Sequence, residues 1–271
     1  MQFLNKIAYF LINSNLIISI SGGVLTYGIT HHFNIDNNSI YALIVTLLTF
    51  AVYTLQRIVD KTGFSIPDNE ISWKVNPLVT ILLSITSLII AIILGLSIFN
   101  NSTFLLVLTL LFGFICSWYT LPFLGKKLRE VSGIKIIVTA LTWCYACAFF
   151  PLINEGVSFN NSLDFSLILM CYFIAIILPF DIRDIQIDQL SQGTIPQVIG
   201  VTATKIGGVM LLVYFTFWHL NNGVVLFENW LFYMAISSQI LLLVFVNRNT
   251  NLLYFGTIDL LITLLGISYL I

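Results

Sequence analysis

Long apolar runs follow one another along this chain, and charged residues fall almost entirely in the breaks between them. A spanning helix needs about 20 mostly apolar residues, because its backbone polar groups must be satisfied within the segment. Nine runs meet that requirement, at about 7–29, 39–59, 78–98, 103–120, 133–153, 163–181, 203–220, 229–247 and 252–271. The expected fold is therefore all-α, a polytopic membrane bundle of nine transmembrane helices forming a single domain over residues 1–271. Composition agrees, since 8% of residues are charged against about 25% in an ordinary soluble domain.

Charge placement tests the helix count. With nine helices, all eleven Lys and Arg fall on one side. Lys6 is in the N-terminal tail, and Arg57, Lys61 and Lys74 flank the second connection. Lys126, Lys127, Arg129 and Lys135 belong to the fourth, Arg183 and Lys205 to the sixth, and Arg248 to the eighth. The positive-inside rule makes that side cytoplasmic and puts the N-terminus inside. A net charge of −1 gives no case for nucleic acid as a partner. The N-terminal run is broken by Asn13 and Asn15, and no small-residue cleavage site follows it, so it reads as a retained helix. Cys116, Cys144, Cys147 and Cys171 lie in apolar runs and read as packing residues rather than a disulfide framework.

The densest acidic feature is PFDIRDIQIDQLSQGTIPQVIG, residues 179–200, which sets Asp181, Asp184 and Asp188 within eight residues. On a helix these positions share one face. Three crowded carboxylates repel unless something positive sits among them. Mg²⁺ takes oxygen ligands, commonly a few carboxylates plus substrate phosphates. The sharp reading is a metal-bridged phosphate site at a membrane surface; the bland one is a solvated acidic helix end.

Two further stretches face the same side. The second run ends AVYTLQRIVDK, where Tyr53, Gln56, Arg57 and Asp60 share a helical face. Arginine suits phosphate through its planar donor fork, although Arg57 and Lys61 also serve as interface anchors with Asp60 as counter-ion. The fourth connection, WYTLPFLGKKLREVSGIK, carries the densest positive cluster. It either meets anionic lipid or sends one or two cations to a diphosphate. Asp259, about 10 Å into the ninth run at 1.5 Å per residue, is an intramembrane acid, either orienting a substrate or structurally paired. Asn13 and Asn15 read as helix–helix hydrogen-bonding groups. His219 carries no assignment.

These residues resemble the UbiA family of intramembrane prenyltransferases over essentially the whole chain. Asp184 and Asp188 fill the family's second Asp-x-x-x-Asp motif, with Asp181 before it and Gly193, Thr194, Pro196 and Gly200 after it. Arg183 before Asp184 is closest to the quinone-biosynthesis branch. Tyr119, Pro122 and Lys126 are similar to the family's fourth-loop Tyr, Pro and Lys, with a wider Tyr-to-Lys gap. The first family motif, Asn-Asp-x-x-Asp-x-x-x-Asp, falls on Val52, Tyr53, Gln56 and Asp60, so only its last acid is kept.

The resemblance implies a central cavity opening to the cytoplasmic side of a cell membrane, the bacterial inner membrane. It also implies Mg²⁺-dependent transfer of a prenyl group from a prenyl diphosphate to an aromatic or lipophilic acceptor. Asp60, Asp181, Asp184 and Asp188 would hold the metal, and Asp60, Lys126, Asp184 and Asp188 would be catalytic. Tyr53, Gln56, Arg57, Tyr119, Lys127 and Arg183 would bind substrate. The eroded first motif leaves a second reading, an inactive relative that binds an isoprenoid lipid or membrane partner. A small transporter is a third, disfavoured by the scarcity of charge within the runs and of paired broken helices.

Overall fold

The computed structural model describes residues 11–60, 77–100, 102–123, 125, 127–131, 133–185, 193–247, 250 and 252–271. Every regular element in it is helical: α1 (Leu16–His32), α2 (Asn38–Asp60), α3 (Pro77–Ile98), α4 (Thr103–Thr120), α5 (Ile134–Cys144), α6 (Phe150–Asn154), α7 (Phe159–Asp184), α8 (Ile195–Ile199), α9 (Val201–Asn221), α10 (Trp230–Phe245) and α11 (Leu252–Ser268). A π-helical turn, Tyr145–Phe149, joins α5 to α6, and a 3₁₀ turn, Leu128–Glu130, precedes α5. Among the described residues, six helical segments are long and apolar enough to cross a membrane: Asn38–Val59, Leu78–Ile98, Thr103–Thr120, Ile134–Asn154, Phe159–Asp184 and Val201–Asn221. Two shorter apolar helices, Trp230–Phe245 and Tyr254–Ser268, follow. Leu82, Leu96, Leu110, Met210 and Phe245 are among many large apolar side chains left exposed. In water that surface would be untenable; in lipid it is solvated. The chain is a multi-pass membrane protein.

Side-chain contacts fix the helix directions. Asn15 donates to Thr54 and Arg57 reaches the Asn13 carbonyl, so α1 and α2 run antiparallel. Trp143 stacks on Phe173, and Lys135 pairs with Asp181, so α5 runs against α7. Gly208 closes on Leu178 while Phe215 meets Tyr172, so α7 runs against α9. The first and last helices lie side by side and parallel. A Cβ on Gly28 would collide with the Gly266 carbonyl, and Thr263 donates to Ser21. That backbone approach needs glycine on both sides.

These contacts sort the connections onto two ends. One end carries the tips of α2 and α7, the α4–α5 connection, and the meeting of α9 with α10. There Lys205 donates to the carbonyls of Val244 and Val246, satisfying the open end of α10. The opposite end is closed by a buried polar cluster. Tyr41 and Asn37 donate to Glu155, Asn154 donates to Tyr41 and to the Ile98 carbonyl, and Asn100 bonds Asn154. One cluster thus ties α2, the α3–α4 turn and α6 together.

Several boundaries differ from the sequence expectation. The first run is interrupted: residues 11–13 are helical, Ser14 and Asn15 turn, and Asn15 sits at φ 60° before α1 begins. Asparagine tolerates the left-handed region better than most residues, and Ser14 bonds back to Leu11 to seat the turn. The expected helix at 163–181 extends to Asp184, straight through Pro179. The expected helix at 133–153 contains the π turn, where an extra residue is absorbed just ahead of Pro151.

Candidate functional site

The last turn of α7 carries Asp181 and Asp184 at the end bearing the basic connection. Helix propagation beyond Pro179 is what places them. Asp181 is almost wholly buried and pairs at 2.9 Å with Lys135, in the first turn of α5. Tyr119, at the end of α4, lies against Thr139 and within electrostatic reach of Lys135, Arg129 and Asp181. Arg183 grips its neighbour Asp184 through two bonds, Nε to Oδ1 at 2.6 Å and an η-nitrogen to Oδ2 at 2.9 Å. Its guanidinium carbon rests 4.3 Å from the ring centre of Phe255 on α11. The two acids therefore turn to different neighbours, one toward α5 and the other toward α11, and each meets a cation of the protein itself.

A second polar group lies along the inner face of α2. Tyr53 packs beside Trp143, ring centres 6.4 Å apart. Arg57 donates to the Asn13 carbonyl, which the broken first helix leaves open, and interacts electrostatically with Tyr53 and with Asp259 of α11. Asp259 lies within electrostatic range of Tyr172 on α7, and Tyr119 within electrostatic range of Tyr53. Tyr119 thus joins the two groups, and one polar chain runs from Lys135 and Asp181 through Tyr119, Tyr53 and Arg57 to Asp259. Gln56 lies half-buried one turn from Tyr53.

Not every expected residue is placed. Lys126 and Asp188 lie outside the described residues, and of Asp60 only the backbone at the end of α2 is described. Lys127 precedes the 3₁₀ turn, its backbone N–H bonded to Glu130. Arg57 reaches inward to Asn13 and Asp259. Lys135 pairs with Asp181 and Arg129 lies within electrostatic reach of Tyr119, although neither figured among the expected site residues. A signal for Lys135 was present: Lys135 and Asp181 are equidistant from Ser158, where α5–α6 and α7 turn back on each other, as are Trp143 and Phe173. His219 bonds the Phe215 carbonyl and the Tyr269 hydroxyl, a satisfied buried histidine near the opposite end.

An all-helical membrane bundle with a charged cluster at one end is the class this geometry defines. Its shape matches a solved structure described as a digeranylgeranylglyceryl phosphate synthase in membranes, with a TM-score of 0.58 over 100% of this chain and 98% of that one, at 14% identity. That likeness shows the fold. Neither a protein-family model nor a curated protein matches the sequence.

Proposed function

We propose that this single-domain protein transfers a prenyl group from a prenyl diphosphate to an aromatic or lipophilic acceptor within a cell membrane, with its nine spans oriented N-terminus inside. The observation that carries the reading is the cluster of Asp181, Lys135, Tyr119, Arg129, Asp184 and Arg183 at one end of a bundle shaped like a digeranylgeranylglyceryl phosphate synthase. A polyvalent anion there meets cations from two connections. The reading includes a central cavity beside this cluster, opening to the cytoplasmic side.

The donor set fits Mg²⁺. Asp181 and Asp184 offer hard oxygens, and an ionised carboxylate has about four lone-pair sites, so one cationic partner does not exhaust it. With Asp188 and Asp60 they would hold the ion. When bound, Mg²⁺ neutralises charge on a leaving diphosphate. Lys135, Arg129 and Arg183 act in the same direction, as preorganised cations where charge builds when the C–O bond breaks. On the resemblance read from the sequence, Lys126 and Lys127 would add to the cationic side of the site. Tyr53, half-buried beside Trp143, would offer a ring face to an allylic cation.

Purified protein assayed in detergent with labelled prenyl diphosphates should release diphosphate in the presence of Mg²⁺, and Asp184→Ala should lower that rate by at least about a hundredfold, the scale of losing one preorganised electrostatic partner. An unchanged rate in Asp184→Ala would sink the reading. Arg183 motivates the quinone-branch form, with an aromatic acceptor; the structural neighbour motivates a glyceryl lipid acceptor. Product analysis with one acceptor of each class separates them. A non-catalytic isoprenoid-binding role is favoured by one observation, the commitment of Arg57 to Asn13 and Asp259. Prenyl lipid that copurifies without Mg²⁺-dependent turnover would support it.

A further inference from the structure

We infer that the lipid-facing groove between α9 and α10 holds one acyl chain of a zwitterionic phospholipid, with the ammonium of its headgroup at Glu228. The inference does not rest on the prenyl-transfer reading, because the groove lies toward the end of the bundle opposite the candidate site.

Two helical stripes build the groove. Val213 to Leu220 on α9 and Trp230 to Ile240 on α10 line it at the i, i+3, i+4, i+7 spacing that puts side chains on one face. The two helices are pinned on their inner side, where Phe215 stacks on Phe232 and Leu243 fits against Gly208. On the lipid side they leave a space of about 690 Å³, inside the range of about 300–1,000 Å³ found for ligand pockets. Its mouth is open, with Val213, Phe217, Trp230 and Met234 all exposed.

Shape selects a chain. The stripes run along the helix axes, and so does the groove. Trp230 to Ile240 is a rise of ten residues, about 15 Å at 1.5 Å per residue. That is half of a hydrocarbon core about 30 Å thick, the depth of one leaflet. The walls offer a ligand little polarity, because the Thr216 and Ser237 hydroxyls donate to the Leu212 and Met234 carbonyls of their own helices. Another helix is a poor occupant. Close helix packing in lipid depends on small residues at the contact, whereas the rims here are Phe217, Leu220, Trp230 and Met234. A flexible acyl chain follows such a furrow.

The end away from the charged cluster selects the headgroup. Phe227 and Trp230 line the groove at the α9–α10 turn, as aromatic side chains do at a membrane interface. Glu228 stands between them in the sequence and is exposed, and residues 221–229 contain no Lys or Arg. An anionic headgroup would meet like charge there. An ammonium would meet the Glu228 carboxylate and the face of Trp230. One turn deeper, Tyr233 lines the groove, and its hydroxyl is buried with no hydrogen-bond partner among the described residues. Helical side chains lean toward the N-terminus of their helix, which carries this donor toward the level of the lipid's ester carbonyls.

The test uses full-length protein, delipidated in detergent and titrated with dioleoyl phosphatidylethanolamine or dioleoyl phosphatidylglycerol, with native mass spectrometry counting the lipid retained. Saturable retention of phosphatidylethanolamine is expected, preferred severalfold over phosphatidylglycerol, the scale of one exposed charge pair. Ser237→Trp and Val213→Trp fill the groove from its two walls and should each weaken retention about tenfold or more by removing the apolar surface that buries the chain. Ile206→Trp, at an exposed position near the charged end, and Asp184→Ala should retain lipid as wild type does. Glu228→Gln should abolish the headgroup preference, and Tyr233→Phe should weaken retention of both lipids severalfold. No saturable retention by wild type, or equal retention by wild type and the two groove-filling variants, overturns the site. A preference for phosphatidylglycerol, or a preference that survives Glu228→Gln, overturns the headgroup assignment. A wild-type dimer that Ser237→Trp dissociates gives the groove to a second copy and overturns the lipid. If Ser237→Trp fails to fold, Val213→Trp, at an exposed position on the opposite wall, decides alone.

Discussion

Lys135 and Asp181 meet at the charged end of the bundle, and the pair is asymmetric: the acid is buried and the lysine a quarter exposed. Removing the lysine would deprive the buried carboxylate of this ion pair. Lys135→Met should therefore destabilise the protein by about 3–5 kcal/mol, the usual result of breaking a buried pair from one side. Adding Asp181→Asn should recover most of the loss. Thermal unfolding in detergent of the two single variants and the double variant checks this, and purely additive losses would show that the pair is not coupled. The same residues mark what the sequence could reveal. Spacing along one helix placed Asp181 and Asp184 together, and it did so correctly. It could not say which way each would turn, because that depends on Lys135 and Phe255, which arrive from other helices. The repulsion argument attributed the compensating positive charge to a metal, and it could not foresee that Lys135 and Arg183 also meet the two described acids.

Among the helices, the α1–α11 contact depends on glycine at both faces. Gly28→Val would force backbone against backbone at Gly266, where no rotamer change relieves the clash. Folded yield in detergent, followed by size-exclusion chromatography, should collapse. Gly95→Ala on α3 and Gly113→Ala on α4 meet open space and should be neutral or stabilising by up to about 1 kcal/mol through helix propensity. The π turn makes a sharper case. Deleting Ala146 would restore a regular helix and rotate one half of the α5–α6 segment by about 100° relative to the other, the angle per residue of a 3.6-residue turn. Either Lys135 would lose Asp181 or Asn154 would lose Tyr41, and stability should fall steeply; a deletion variant that melts like wild type would refute this. The π turn was not legible in hydropathy, which averages over a run and cannot register a single inserted residue; Asn13 and Asn15 did mark a break in the first apolar run, but not its left-handed turn.

Over the whole bundle, the apolar runs made the all-helical, multi-pass character readable, because lipid allows a chain of this composition few alternatives to helices. What stayed hidden was the interior polar chain from Lys135 to Asp259, whose members come from five helices and share no local spacing. Orientation is open to a direct check. In a background lacking the native cysteines, Gly125→Cys should react with a membrane-impermeant maleimide only after the membrane is opened, and Gly156→Cys in intact cells. Labelling of both positions from one side would overturn the nine-span arrangement.

The parallel seam between Gly28 and Gly266 has a consequence for biosynthesis. Because α1 meets α11, the barrel of helices stays unlatched until the ribosome has delivered α11. Up to that moment the serine- and glycine-rich flank of α1 faces lipid or a membrane chaperone. Nascent chains arrested before α11 should accordingly be held by the insertion machinery and become protease-resistant only once that closing stave is in place.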